Sequence, residues 1–307
     1  MVDTYDLIII GAGPAGYTAG IYASRGGLKV LILSGKLPGG QLVNTTDVEN
    51  YPGFDKGILG PDLMKIMRKQ TENMGTTILD KTVIDVDFTK RPFKVSTSKE
   101  TFIGKSAIIC TGADPRKLGL EEEKTFSGRG VSYCALCDGP LFKDKELFVI
   151  GGGDAAMEEA NFLTKFATKV HVVHRRDKLK ASKAMQDKVF ANKKIEFHWD
   201  SEVAGIKGDK MVDSIIIKNS KTNKETTLPT GGIFVSIGHV PNTVLFKDKV
   251  ELDKMGYIAL KESMQTSVPG VFAAGDVHDH TYRQAVTAAA YGCMAALEAE
   301  RFLDKDN

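Results

Sequence analysis

Apolar residues along this chain fall into short runs that stop abruptly at glycine. The largely apolar run from Tyr5 to Ile10 ends at Gly11, a helical stretch follows to about Ser24, and a second apolar run covers Lys29–Leu33. Short buried runs separated by an amphipathic segment predict a β–α–β unit with parallel strands. The same design returns later. Leu147–Ile150 is apolar, Gly151-Gly152-Gly153 follows, an amphipathic segment continues to about Phe166, and Val170–Val173 is apolar again. Pro61 to Met74 predicts a helix, with Leu63, Ile66, Met67 and Met74 on one face and Pro61 in the first turn. Residues 76–110 and 195–235 alternate short apolar runs with turn residues, a β-meander pattern. From about Gln284 to Phe302 the chain is Ala-rich and amphipathic, predicting a final helix, and only Asp304-Lys305-Asp306-Asn307 reads as a frayed tail.

Composition narrows the class. With 41 Lys+Arg and 39 Asp+Glu in 307 residues, the net charge of +2 gives no support to a nucleic-acid binder. The length suits about two domains. No apolar run approaches the roughly 20 residues that span a bilayer. The acidic N-terminus lacks a basic signal-peptide region. Four Cys in a chain this long do not make a secreted disulfide framework, so a reducing, cytoplasmic setting is expected. Glycine is the outlier: 31 residues, about a tenth of the chain against a usual ~7%.

The two Gly-rich turns account for much of that excess. Gly11-Ala12-Gly13-Pro14-Ala15-Gly16 and Gly151-Gly152-Gly153-Asp154-Ala155-Ala156 each follow an apolar strand and open a helix. In such fingerprints the first Gly makes the turn, the second lets backbone approach a pyrophosphate, and the third (here Gly16 or Ala156) permits tight helix–strand packing. Two matches in matching context predict two dinucleotide-binding units. Neither unit ends its second strand with the carboxylate that reads a ribose 2′-OH. The first has Ser34, which can still bond a ribose hydroxyl. The second has His174-Arg175-Arg176 with Lys180 close behind, a cluster suited to a ribose 2′-phosphate. NADP(H) is therefore expected at the second site, and FAD or NAD at the first.

Cys134-Ala135-Leu136-Cys137-Asp138 carries candidate redox chemistry. Two thiols three residues apart can close and reopen a disulfide. Asp138 follows directly and can exchange a proton with a departing thiolate if partial burial raises its pKa. A metal set of Cys134, Cys137, His171 and His174 is the rival. Its 34-residue gap is far from finger spacing, and the two His lie three apart on a strand, so no metal is expected. Cys110 and Cys293 lie among apolar residues and read as inert thiols.

Seven segments together resemble the low-molecular-weight, bacterial-type thioredoxin reductases. They are Gly11–Gly16, Gly39-Gly40-Gln41-Leu42, Glu49-Asn50-Tyr51-Pro52-Gly53, Cys134–Gly139, Gly151–Ala160, His174-Arg175-Arg176-Asp177 and Gly270–Asp276. The resemblance implies an α/β fold of two Rossmann-like, three-layer domains, the second inserted into the first, each with an added β-meander. A discontinuous FAD domain would cover 1–115 and 246–307, an NADPH domain with the dithiol 116–245, and hinges would fall near Ala113–Lys117 and His239–Thr243. It implies FAD contacts at Gly11, Gly13, Pro14, Ala15, Gly16, Ser34, Gly40, Gln41, Leu42, Asn50, Thr111, Gly112, Gly275, Asp276, Arg283, Gln284 and Ala285. NADPH contacts would fall on Gly151, Gly153, Asp154, Ala155, His174, Arg175, Arg176, Lys180, Ile237 and Gly238. Cys137 would contact the flavin, Cys134 would attack the disulfide of thioredoxin, Asp138 would be the acid/base, and the protein would be a homodimer.

Two departures qualify the picture. Lys180 stands where the family usually has Arg, which softens the expected preference for NADPH. Pro140-Leu141-Phe142 replaces paired aromatics found in some relatives. This apolar patch and Arg129 are expected to help dock thioredoxin. The alternatives are a related flavin-dependent disulfide reductase with another donor, such as ferredoxin, or another acceptor, and, from a different class, a non-catalytic metal-binding or interaction module.

Overall fold

The computed structural model describes residues 4–45 and 47–305. The chain divides into two compact units, Met1–Asp114 with Val240–Asn307, and Pro115–His239. The return to the first unit comes before the expected residue 246. Phe246 is fully buried in that unit's core, and Asn242 and Thr243 bond to Thr111 and Gly256.

In the first unit the strand Thr4–Ile10 pairs in parallel with Val30–Leu33 on one side and Thr101–Ile109 on the other. Val30–Leu33 also pairs with Thr77–Leu79, and the far half of Thr101–Ile109 pairs with Val271–Ala273. All these pairs are parallel, and Leu7–Ile10, Val30–Leu33, Ser106–Ile109 and Val271–Ala273 are buried throughout, hence the continuous apolar runs at the sheet's centre. Phe93–Thr97 and Val83–Asp87 extend the sheet antiparallel. The 76–110 stretch is thus only partly a meander: its first strand belongs to the parallel edge.

Three long helices flank this sheet: Pro14–Arg25, Gly60–Asn73 and Ala285–Asp304. The first and last cross closely. A Cβ at Gly292 would lie 2.1 Å from the Ala15 carbonyl oxygen, so only glycine permits the approach. Asp304 completes the last helix, whereas Asp306 and Asn307 lie outside the described residues.

The second unit has a five-stranded parallel sheet in the order Val131–Ser132, Gly232–Val235, Glu146–Ile150, Lys169–Val173, Ile195–His198. Its two longer helices are Asp154–Leu163, shorter than the expected run to Phe166, and Lys183–Phe190. A separate antiparallel meander comprises Ser201–Gly208, Val212–Asn219 and Glu225–Pro229. The 195–235 stretch therefore contains this meander between two strands of the parallel sheet. Among the described residues no helix is long and apolar enough to cross a membrane.

Candidate active site

Cys134 and Cys137 are joined as a disulfide, with Cα atoms 5.3 Å apart, across the short helix Ala135–Asp138. The loop is tied by Ser132, which the sequence reading missed. Its Oγ accepts the Cys134 N–H at 3.1 Å and donates to Asp138 Oδ2 at 2.6 Å. The Cys137 N–H donates to Cys134 Sγ at 3.1 Å. A donor aimed at sulfur favours the thiolate form once the bond opens. Burial raises the Asp138 pKa, and the Ser132 hydroxyl opposes that rise. Residues beside the pair do not all behave as expected. Leu136 and Leu141 are 53% and 42% exposed, as are Pro140 and Arg129, but Phe142 is buried edge-on against Phe234. The Phe142 part of the docking patch is therefore core. Its ring lies over Gly232 and Phe234 of the parallel sheet, a contact that a three-residue apolar run does not reveal.

In the first unit, Gly11 turns the chain at φ +110°, and an added Cβ would lie 2.2 Å from the Cys110 carbonyl oxygen. Gly16 packs on Gly11, where a Cβ would come within 2.1 Å of its oxygen. Nothing lies within 4 Å of a Cβ placed on Gly13, and Gly13 caps the helix without a side-chain bond. Pro14 begins that helix and Ala15 is buried behind it. The Gly39 N–H donates to the Ala12 carbonyl, which sets Gly40, Gln41 and Leu42 beside the turn. Gly275, at φ +80°, packs against Ala15. Asp276 follows it. Burial, then the nearby Asp279, pushes its carboxyl up to about 7, with Arg283 acting the other way. Asp279 itself is buried and accepts the N–H groups of Thr281, Tyr282 and Arg283. It thereby shapes the turn into Gln284, which caps the last helix ahead of Ala285.

Other expected contacts have partners within the protein. Gln41 Nε2 donates to Asp114, Asn50 Nδ2 donates to Gln284 Oε1 at 3.3 Å, and Arg283 Nη1 donates to the His280 carbonyl at 2.6 Å. Thr111 Oγ1 donates to the Asn242 carbonyl, beside Gly112 at φ +69°. Ser34 is 4% exposed and donates to Asp80 at 2.8 Å. Its proton goes to Asp80, so toward a ribose hydroxyl its oxygen is left to accept.

The second turn is built differently. A Cβ on Gly151 would lie 2.3 Å from the Ser236 carbonyl oxygen, whereas Gly153 faces open space and caps its helix without a side-chain bond. The His174 ring fills the place beside Gly152, where a Cβ would come within 2.3 Å of it. His174 is buried, its Nε2 lies 3.0 Å from the Lys178 carbonyl, and burial lowers its pKa. It supports the turn through packing. Asp154 accepts the Ser182 N–H and hydroxyl, and the Lys180 and Ala181 N–H groups both reach the Gly152 carbonyl. The loop carrying the basic cluster is thus stitched to the Gly-rich turn. Arg175, Arg176 and Lys180 are exposed and form no ion pair among the described residues. Ala155, Ile237 and Gly238 are exposed at the same end of the sheet.

Both turns fit a dinucleotide. Each leaves open space over its middle glycine and an uncapped helix N-terminus, the arrangement that binds phosphate. In the first unit Asp276 adds a mostly buried carboxylate with no hydrogen bond from the described residues, a place for a ligand hydroxyl.

Two such units, one bearing a closed dithiol, define a nucleotide-dependent disulfide oxidoreductase. The chain belongs to the pyridine nucleotide-disulphide oxidoreductase family, whose sequence description matches residues 5–292, and within it to the thioredoxin reductases. The thioredoxin reductase of Streptomyces clavuligerus is 52% identical over 306 residues, covering 99% of this chain and 95% of that one. The structure of thioredoxin reductase from Giardia duodenalis superposes with a TM-score of 0.93 at 48% identity, covering 98% of this chain and 99% of the other. That from Streptococcus pyogenes gives 0.94 at 44% identity, with coverage of 98% and 99%.

Proposed function

We propose that the protein is an NADPH-dependent thioredoxin reductase that holds FAD in the first unit and NADPH in the second. The Cys134–Cys137 disulfide, tied through Ser132 to a half-buried Asp138, carries this reading. Bound FAD would supply the two-electron relay between NADPH and that disulfide. After reduction, the Cys134 thiolate attacks one sulfur of the thioredoxin disulfide and expels the other as a thiolate, which takes up a proton from Asp138. The Cys137 thiolate then attacks Cys134 Sγ. The internal disulfide re-forms and the second thioredoxin thiolate leaves. Exposed Leu136, Leu141 and Arg129 form the surface that meets thioredoxin; Arg129→Ala raises its KM if so.

The reading is tested with purified protein, NADPH or NADH, thioredoxin and a chromogenic disulfide. Flavin absorption and turnover that requires thioredoxin support it. A colourless protein, or turnover without thioredoxin, overturns it. Arg175→Ala combined with Arg176→Ala should lower kcat/KM for NADPH by about 100-fold or more, since each charged hydrogen bond contributes about 1.5–3 kcal/mol. The NADH value should barely change. An equal loss with both nucleotides would show that the guanidinium groups do not read the 2′-phosphate.

Ser132→Ala tests the proton donor. The hydroxyl stabilises the charged form of Asp138, so its removal raises the pKa further. If protonated Asp138 is the active form, the alkaline limb of thioredoxin reduction moves to higher pH. An unmoved limb removes Asp138 from the proton transfer.

A further inference from the structure

One face of the second unit's parallel sheet carries a group of side chains that the dithiol chemistry does not use. His171 pairs with Glu196 across neighbouring strands, and Val173 pairs with His198. Alternate residues of a strand share a face, so His171, Glu196 and His198 project to the same side. On the next strand Phe148 pairs with His171 and stacks on its ring at 4.5 Å, and Glu146 lies two residues before it. His171 Nε2 is 3.1 Å from Glu146 Oε2, while His171 Nδ1 is 3.0 Å from His198 Nε2. His198 Nε2 is in turn 4.0 Å from Glu196 Oε1.

Proton accounting defines the state of each ring. An ionised carboxylate only accepts, so the bond to Glu146 places the His171 proton on Nε2 and leaves a lone pair on Nδ1. That lone pair faces His198 Nε2, which donates to it in the metal-free protein. A cation can replace this shared proton if His198 shifts its own proton to Nδ1, which releases none to solvent. Burial, with His171 beside it, lowers the His198 pKa, which favours the neutral ring that a ligand needs.

We propose that His171 Nδ1, His198 Nε2 and Glu196 Oε1 form a binding site for a zinc-class divalent cation, with water completing the coordination. Bonds of about 2.0–2.1 Å in tetrahedral geometry separate ligand atoms by roughly 3.3 Å. The two distances here, 3.0 and 4.0 Å, bracket that spacing, so little movement is needed. Imidazole and carboxylate together suit zinc, cobalt or nickel. Glu146 would orient the His171 ring through its other nitrogen, the support that metal-bound histidines usually have. Glu196 can keep Lys169 on its second oxygen. This set differs from the Cys134, Cys137, His171 and His174 combination considered from sequence. There the cysteines bond each other and His174 is tied to Lys178.

Zinc chloride titrated into the oxidised, flavin-loaded enzyme tests the proposal by calorimetry, because the closed disulfide removes Cys134 and Cys137 as competing ligands. One zinc per chain is expected, together with a rise in the thermal midpoint, since the ion would bind the folded chain alone. His198→Gln and Glu196→Gln should each weaken binding about tenfold or more and abolish the midpoint shift. His280→Gln, an exposed residue of the other unit, should leave both unchanged. Glu196 is exposed, so its variant keeps the fold even if that of His198 does not; circular dichroism checks this. No saturable binding, or equal binding by the Glu196→Gln variant, overturns the site without touching the reductase reading.

Discussion

Replacing Cys137 by Ser should abolish thioredoxin turnover, by about a thousandfold or more, while NADPH still bleaches the bound flavin. The reason lies in the division of labour between the two sulfurs. A remaining Cys134 thiolate can still attack thioredoxin, but no neighbour can release the mixed disulfide. The variant should therefore trap thioredoxin as a covalent adduct, visible on a non-reducing gel. Cys134→Ser should lose turnover equally and form far less adduct. The asymmetry follows from the Cys137 N–H aimed at Cys134 Sγ and from Ser132 holding the Cys134 backbone. An adduct formed mainly by the Cys134→Ser variant would reverse the two roles. Loss of flavin bleaching in Cys137→Ser would mean the pair does more than carry electrons outward.

The second large effect separates two glycines of one turn. Gly11→Ala should yield little flavin-bearing protein. It forces a side chain into φ +110° and sets its Cβ 2.2 Å from a backbone oxygen that cannot give way. A strained φ alone costs about 1–3 kcal/mol, and the clash adds backbone displacement. Gly13→Ala should fold normally, since the backbone there is extended and its Cβ meets nothing within 4 Å. Yet it should bind FAD at least tenfold more weakly, because that space is where a pyrophosphate would rest. Thermal unfolding and flavin content of the purified variants check both. A Gly13→Ala protein with full flavin would mean the space is not the cofactor's.

The parts of this fold that sequence discloses are those where one residue type has no substitute. Gly11, Gly16 and Gly151 sit where any Cβ would strike backbone, so their spacing stands out against the rest of the chain. The paired cysteines are similarly distinctive. Where several chemistries share one residue type, the sequence is silent. Ser132 looks like any serine until the chain brings Asp138 to its hydroxyl. Ser34 reads as a free hydroxyl until Asp80, distant in sequence, takes its proton. The short apolar runs of 76–110 and 195–235 mark strands but not their direction, which is set by partners distant in the chain. His171, Glu196 and His198 meet only through a register that no local pattern encodes.

The interrupted first unit also bears on the order in which the molecule is made. Its strand Val271–Ala273 and its last helix complete the sheet and cover begun by the first 114 residues. The ribosome delivers them only after the whole of Pro115–His239. Domains generally fold as units during synthesis. The inserted unit, continuous in the chain, can therefore close while its host still waits for its final pieces. The host's nascent half must stay competent through that interval with its Ala15 surface uncovered, until the helix bearing Gly292 arrives to seat against it.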